Sequence, residues 1–112
     1  MLKHYILKDG RITEVSLREW AEWSETGDRY VDHTVIRCDD GTPEVLVSTI
    51  FVGIDLGFLP GGPPVLFETM IFGGHLDQYQ VRYETMGEAK VGHWDAVDKA
   101  REAESSTKKE GR

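Results

Sequence analysis

The chain has 112 residues, of which 39% are hydrophobic and 10% aromatic, enough for one modest core and too few for two domains. Its formal net charge of −7, from 20 acidic and 13 basic residues, disfavours nucleic acid as a partner and leaves imitation of a phosphate backbone as the weaker electrostatic option. The apolar runs at 45–54 and 65–72 are interrupted by Ser, Thr or Glu, far from the roughly 20 apolar residues of a spanning helix, so no membrane association is expected.

The opening residues, Met1 to Tyr5, lack the basic and apolar regions of a secretory signal. His4–Lys8 and Arg11–Val15 flank Asp9-Gly10, a two-residue hairpin signal because Gly accepts positive φ. Ser16-Leu17-Arg18-Glu19 is a capping box that predicts a helix start. Leu17, Trp20, Ala21 and Ser24 then share one helical face, with Trp23 to its side and Gly27 as the stop.

Tyr30–Arg37 is predicted as a strand and Cys38 to Pro43 as a polar turn. A lone cysteine forms no internal bridge and points to the cytoplasm. Asp39 and Asp40 disfavour a thiolate at Cys38, so an activated nucleophile is not expected there. Val45–Asp55 is apolar on both alternating faces, as a central strand should be. Leu56 to Pro64 is too rich in Gly and Pro for regular structure. Val65–Phe72 is a further strand, ended by Gly73-Gly74.

His75–Tyr83 is polar and mixed and is assigned to loop or a helical turn. Thr85-Met86-Gly87-Glu88 is a second capping box, opening a helix to about Glu102 with Met86, Ala89, His93, Ala96, Val97 and Ala100 as its apolar stripe. Glu104–Arg112 has no apolar residue and is expected to be disordered. The fold class that follows is α+β in a single domain, 1–103. It is a four- to five-stranded, mainly antiparallel sheet with two helices packed on one face. The other face must be solvated or serve as an interface.

Candidate chemistry is sparse. Asp32 and His33 are neighbours in a strand and point to opposite faces. His75 and Asp77 have alternating spacing but no third metal ligand fixed by sequence, so no metal or other cofactor is expected. His93 lies within an apolar stripe, where a histidine with both ring nitrogens satisfied is favoured over a functional one. Glu68 shares a period-two face with Leu66, Met70 and Phe72. Its carboxyl has a raised proton affinity among these apolar neighbours unless this face is the exposed one or Glu68 meets a basic partner such as Arg82. A structural or interface role is favoured over catalysis. Ser48 and Thr49 lack a nucleophile elbow. The loop holding Phe58, Gly61 and Gly62 lacks Gly-Lys-Ser/Thr and precedes a strand, so it is no phosphate cradle. Its apolar members suit a protein contact.

The segments Val47-Ser48-Thr49-Ile50-Phe51-Val52-Gly53-Ile54-Asp55 and Leu66-Phe67-Glu68-Thr69-Met70-Ile71-Phe72-Gly73-Gly74, with the Gly/Pro loop between them, resemble a family of small phage and prophage proteins without assigned function. The likeness extends to Trp20–Trp23 and to Glu84–His93, but not to 27–44 or the tail. It implies a phage accessory protein in a bacterial host cell, of the kind that modulates host or defence machinery, and supplies no catalytic residues.

A non-enzymatic protein that binds a protein partner is therefore the favoured reading. The alternative is a small-ligand or nucleotide binder with a pocket near Glu68, His75 and His93. A hydrolase using Glu68 or His93 as a general base comes third, since nothing in the sequence supplies its partner residues. The tentative binding residues are Phe58, Gly61, Gly62, Glu68, His75, Asp77 and His93. A homo-oligomer is left open.

Overall fold

A computed structural model describes residues 2–37, 44–57 and 61–110, with the side chains of 106–110 left aside. Strands β1 (His4–Lys8) and β2 (Arg11–Val15) form an antiparallel hairpin. Asp9 and Gly10 turn the chain at φ 52° and 78°, the doubly left-handed geometry whose twist matches paired strands. Helix α1 spans Leu17–Thr26, and Ser16 caps it by accepting the Glu19 N–H at 3.2 Å.

The main sheet is a four-stranded antiparallel meander in the order β3 (Tyr30–Ile36), β4 (Val45–Phe51), β5 (Phe67–Phe72), β6 (Gln80–Tyr83). Helix α2, Met86–Glu110, returns across one face of it. The Thr85–Glu88 box is reciprocal here: the Glu88 N–H donates to Thr85 Oγ1 at 3.1 Å, and the Thr85 N–H donates to Glu88 Oε1 at 3.2 Å.

Alternation along the strands decides which side is covered. Ile36, Val45, Val47 and Ile71 meet Ala96, Val97 and Ala100 of α2 in one buried cluster. Phe51, Leu66, Phe67 and Ala89 form the second, joined by Trp23 from α1. The Phe51 ring packs edge-on against both Trp23 and Phe67, with centroids 5.5 and 5.2 Å away. Burying such rings stabilises the fold by about 1.5–3 kcal/mol each. Both helices therefore lie on the Phe51 side of the sheet, and the antiparallel α+β architecture read from the sequence holds.

Several details differ. The hairpin is a separate two-stranded sheet, tied to the end of β4 by the His4–Ile54 bridge and by the Tyr5 N–H on the Gly53 carbonyl at 2.8 Å. Gly53 has φ 79°, and a Cβ there would meet the Trp20 indole nitrogen at 2.6 Å and the Tyr5 carbonyl. Only glycine lets the hairpin and α1 close on β4 at this point.

Residues 80–83, assigned to loop or turn, are strand β6. Four residues that alternate polar Gln80 and Arg82 with Val81 and Tyr83 give too short a pattern to register. In α1 the inward side chains are Trp20 and Trp23, whereas Leu17 is 61% exposed and Ala21 also faces outward. Leu66 leaves the Glu68 face and enters the core.

Helix α2 continues through Glu110, past the expected start of disorder at Glu104. The Glu104 carboxylate is the reason for structure there, since it accepts the His75 backbone N–H at 2.9 Å and pins the helix to the β5–β6 turn. Lys108, Lys109 and Glu110 at its end are good helix formers. Cys38 and Phe58 lie outside the described residues.

Candidate functional site

The buried polar cluster centres on His93. Its side chain is fully buried, and both ring nitrogens are engaged: Nε2 with Thr34 Oγ1 and Nδ1 with Thr49 Oγ1, each at 2.8 Å. Thr49 Oγ1 also meets Thr69 Oγ1 at 2.5 Å. Three neighbouring strands and α2 thus share one hydrogen-bonded chain. A neutral imidazole has one donor and one acceptor, and a row of hydroxyls can rotate to match either tautomer.

Burial holds the His93 pKa below its ordinary value, opposed by the Asp32 carboxylate and assisted by His33. Among the described residues no buried side-chain polar atom lacks a partner. His93 therefore has neither access nor a free nitrogen with which to do chemistry. It is a core histidine that fixes the register of α2 on the sheet.

Glu68 lies on the opposite face. Its Oε2 accepts from Arg82 Nε at 3.1 Å and from Gln80 Nε2 at 2.8 Å. The Glu68 side chain is only 14% exposed, the Arg82 side chain 36%. The carboxylate is thus engaged by cross-strand neighbours, the arrangement anticipated for Arg82.

His75 and Asp77 belong to the turn between β5 and β6. Asp77 Oδ1 accepts the Gly73 N–H at 2.7 Å, and the His75 ring is half-exposed with Nε2 at 4.0 Å from Glu104 Oε1. Glu68, His75 and His93 therefore occupy three separate places, one on each face of the sheet and one in the β5–β6 turn. Among the described residues no three His, Cys, Asp or Glu side chains cluster as a metal site, and no helix is long and apolar enough to cross a membrane.

What the fold does assemble is a bare sheet face. Pairing places Val35, Leu46 and Phe72 in one row and His33, Ser48, Met70 and Gln80 in the next. Tyr30, Ile50, Glu68 and Arg82 form the third row. Arg37 and Glu44 continue the alternation beyond the first row and pair at 3.1 Å. Helix α2 and Trp23 of α1 pack on the opposite face, while Ser48 in the middle row is buried among its neighbours. Tyr30 is 61% exposed, Val35 46% and Phe72 42%.

Beside the Arg82 end of the face a cleft of about 420 Å³ is lined by Leu56, Gly57, Gly62, Pro63, Val65, Arg82 and Glu84. Asp55 holds the base of this loop together. Its Oδ1 accepts the N–H groups of Val65 and Gly57, both at 2.9 Å. Those two bonds, Val65 first, hold the carboxyl below its ordinary pKa. Gly62 thus lines a cleft wall, while Gly61 is exposed at φ 79° in the same loop. Asp55 escaped sequence reasoning because its partners lie two and ten residues away across an irregular loop. Its only signal is an Asp at the end of a strand, just before a glycine-rich segment.

Set against family models, curated proteins and solved structures, the chain matches none of them.

Proposed function

We propose that this protein acts without catalysis, as a small phage-type accessory protein that binds a protein partner through its bare sheet face and the adjoining Gly/Pro loop. Modulation of host or defence machinery in the bacterial cytoplasm is the role this reading assigns to it. One observation carries it: helices cover a single side of the sheet, and the other side presents Tyr30, Val35 and Phe72 to solvent around Leu46, Ile50 and Met70. Exposed apolar side chains grouped on one face among polar ones suit a protein contact. The engagement of His93 by Thr34 and Thr49, and of Glu68 by Gln80 and Arg82, is consistent with structural parts for both.

The test compares the wild-type protein with Phe72→Glu, immobilised and exposed to a bacterial lysate. A partner retained in stoichiometric amount by the first and lost by the second supports the reading. Equal retention by both proteins, or empty eluates from a chain that is also monomeric, would sink it.

The cleft beside Arg82 favours a second reading, a small anionic or amphipathic ligand held between the loop and β6. Its walls are concave and largely apolar, with the Arg82 and Glu84 side chains for orientation. A metabolite and nucleotide panel read by thermal shift checks it, because a ligand of the native state raises the melting temperature.

A further inference from the structure

We infer that the bare sheet face pairs with the same face of a second copy of this chain, in a reversible two-fold dimer. The inference rests on reading that face as a protein-contact surface and narrows its occupant.

Charge is the first argument. With a formal net charge of −7, two copies repel over most of their surfaces. The bare face is the exception, because its ionic groups are compensated in place: Glu68 by Arg82 and Glu44 by Arg37, each at 3.1 Å. These pairs add little repulsion of their own to the approach of a second copy.

Register is the second argument. A two-fold axis running along the strands, in the plane between two facing sheets, sets β3 over the partner's β6 and β4 over its β5. The cross-strand partners of this sheet then become facing partners in the dimer. Leu46 lies over the other copy's Phe72, and Ser48 over its Met70, so large side chains meet smaller ones as in a packed sandwich. Tyr30, 61% exposed, lies over the second Arg82, whose guanidinium can stack on the ring. The same operation sets Ile50 over the other copy's Glu68, whose carboxylate stays paired with Arg82, so each contact occurs twice as a two-fold interface requires.

Size sets the strength. Four strands at about 4.8 Å spacing and three rows of side chains, the first lacking a β6 member, give a patch of at most roughly 19 by 20 Å. That is about 400 Å² in projection, more once side-chain relief is counted, which places the pair at the small end of specific interfaces. The dimer should therefore form and dissociate with concentration.

Sedimentation of the full chain over a wide concentration range tests this. Expected is a rise from one to two chain masses as concentration increases, with tighter association at higher salt because the residual repulsion is screened. Phe72→Glu should abolish dimerisation. Tyr30→Lys, which sets an ammonium over Arg82, should weaken it about tenfold, and Tyr30→Glu should restore or strengthen it. Both positions of substitution are exposed, and circular dichroism verifies that each of the three variants folds. A wild-type chain that stays monomeric overturns the inference. If that monomer still retains a lysate partner that Phe72→Glu loses, the protein-contact reading stands and only the second copy falls. If it retains none, both fall. A dimer indifferent to Phe72→Glu and to both Tyr30 variants also overturns the inference, since another surface then joins the copies.

Discussion

His93 and Thr49 join helix to sheet through a 2.8 Å bond between Nδ1 and Oγ1, in a place neither water nor ligand reaches. The imidazole occupies an apolar stripe on α2 and would be costly there without partners. Hydroxyls from β3 and β4 make it tolerable, and they also define the position of the helix, because a shift of one turn would strand three polar groups.

Replacing His93 by Ala should therefore destabilise the fold by about 3 kcal/mol, combining a cavity with two hydroxyls deprived of their partner. Urea unfolding measures the change. An effect below about 1 kcal/mol would mean that the network reorganises around the gap.

The same histidine should make stability fall with acid. Its folded pKa is held below 6.5 by burial, whereas in the unfolded chain it titrates near the ordinary value of about 6.5. Below that value the unfolded state takes up a proton that the native state refuses. Stability from this group is therefore full above about pH 6.5 and declines as pH falls towards the folded pKa. Unfolding free energies at several pH values between 5 and 8 should show a shallower slope for His93→Gln than for the wild type.

Asp55 works in the opposite charge sense. Backbone N–H groups lower its pKa from 3.8, so its contribution is present above the unfolded value and is lost as pH falls through the folded one. Asp55→Ala should speed hydrogen exchange at the Gly57 and Val65 amides severalfold at neutral pH, leaving core amides of β4 and β5 nearly unchanged. Unaltered exchange at both amides would rule out the clamp.

Gly53→Ala should cost about 2 kcal/mol, since it combines strain at φ 79° with a close approach to the Trp20 indole. The damage should be local. Tyr5 amide exchange and Trp20 fluorescence should change before the Thr49–His93 region does. Loss of the whole fold in one step would show instead that the hairpin is part of the main cooperative unit.

The Glu68–Arg82 pair should be worth little. Both groups are partly solvated, so a double-mutant cycle with Glu68→Ala and Arg82→Ala should give a coupling of about 0.5–1 kcal/mol. A much larger coupling would point to a functional charge rather than a cross-strand contact.

Local pattern alone made parts of this protein legible. Asp9-Gly10 specified the hairpin because few residues accept two successive left-handed conformations. Ser16–Glu19 and Thr85–Glu88 announced both helix starts, because a capping box satisfies orphan N–H groups within four residues. The apolar runs containing Phe51 and Phe67 marked the central strands, and the stripe through His93 marked the buried face of α2. Each of those decisions is made between neighbours in sequence. The bare face was anticipated too, since two amphipathic helices were available to cover only one side of the sheet.

Tertiary structure decided what depended on distant partners. Gln80–Tyr83 became a strand because the β5 edge supplied a hydrogen-bonding template, which four mixed residues do not advertise. Trp23 turned inward because Phe51 lay beneath it, and Glu104 stayed ordered because the His75 amide offered it a donor. Candidate sites dispersed for the same reason. Strand alternation sent Glu68 to one face while α2 carried His93 to the other. Composition and local pattern set which residues could be buried or turned, and long-range pairing alone determined which of them would meet.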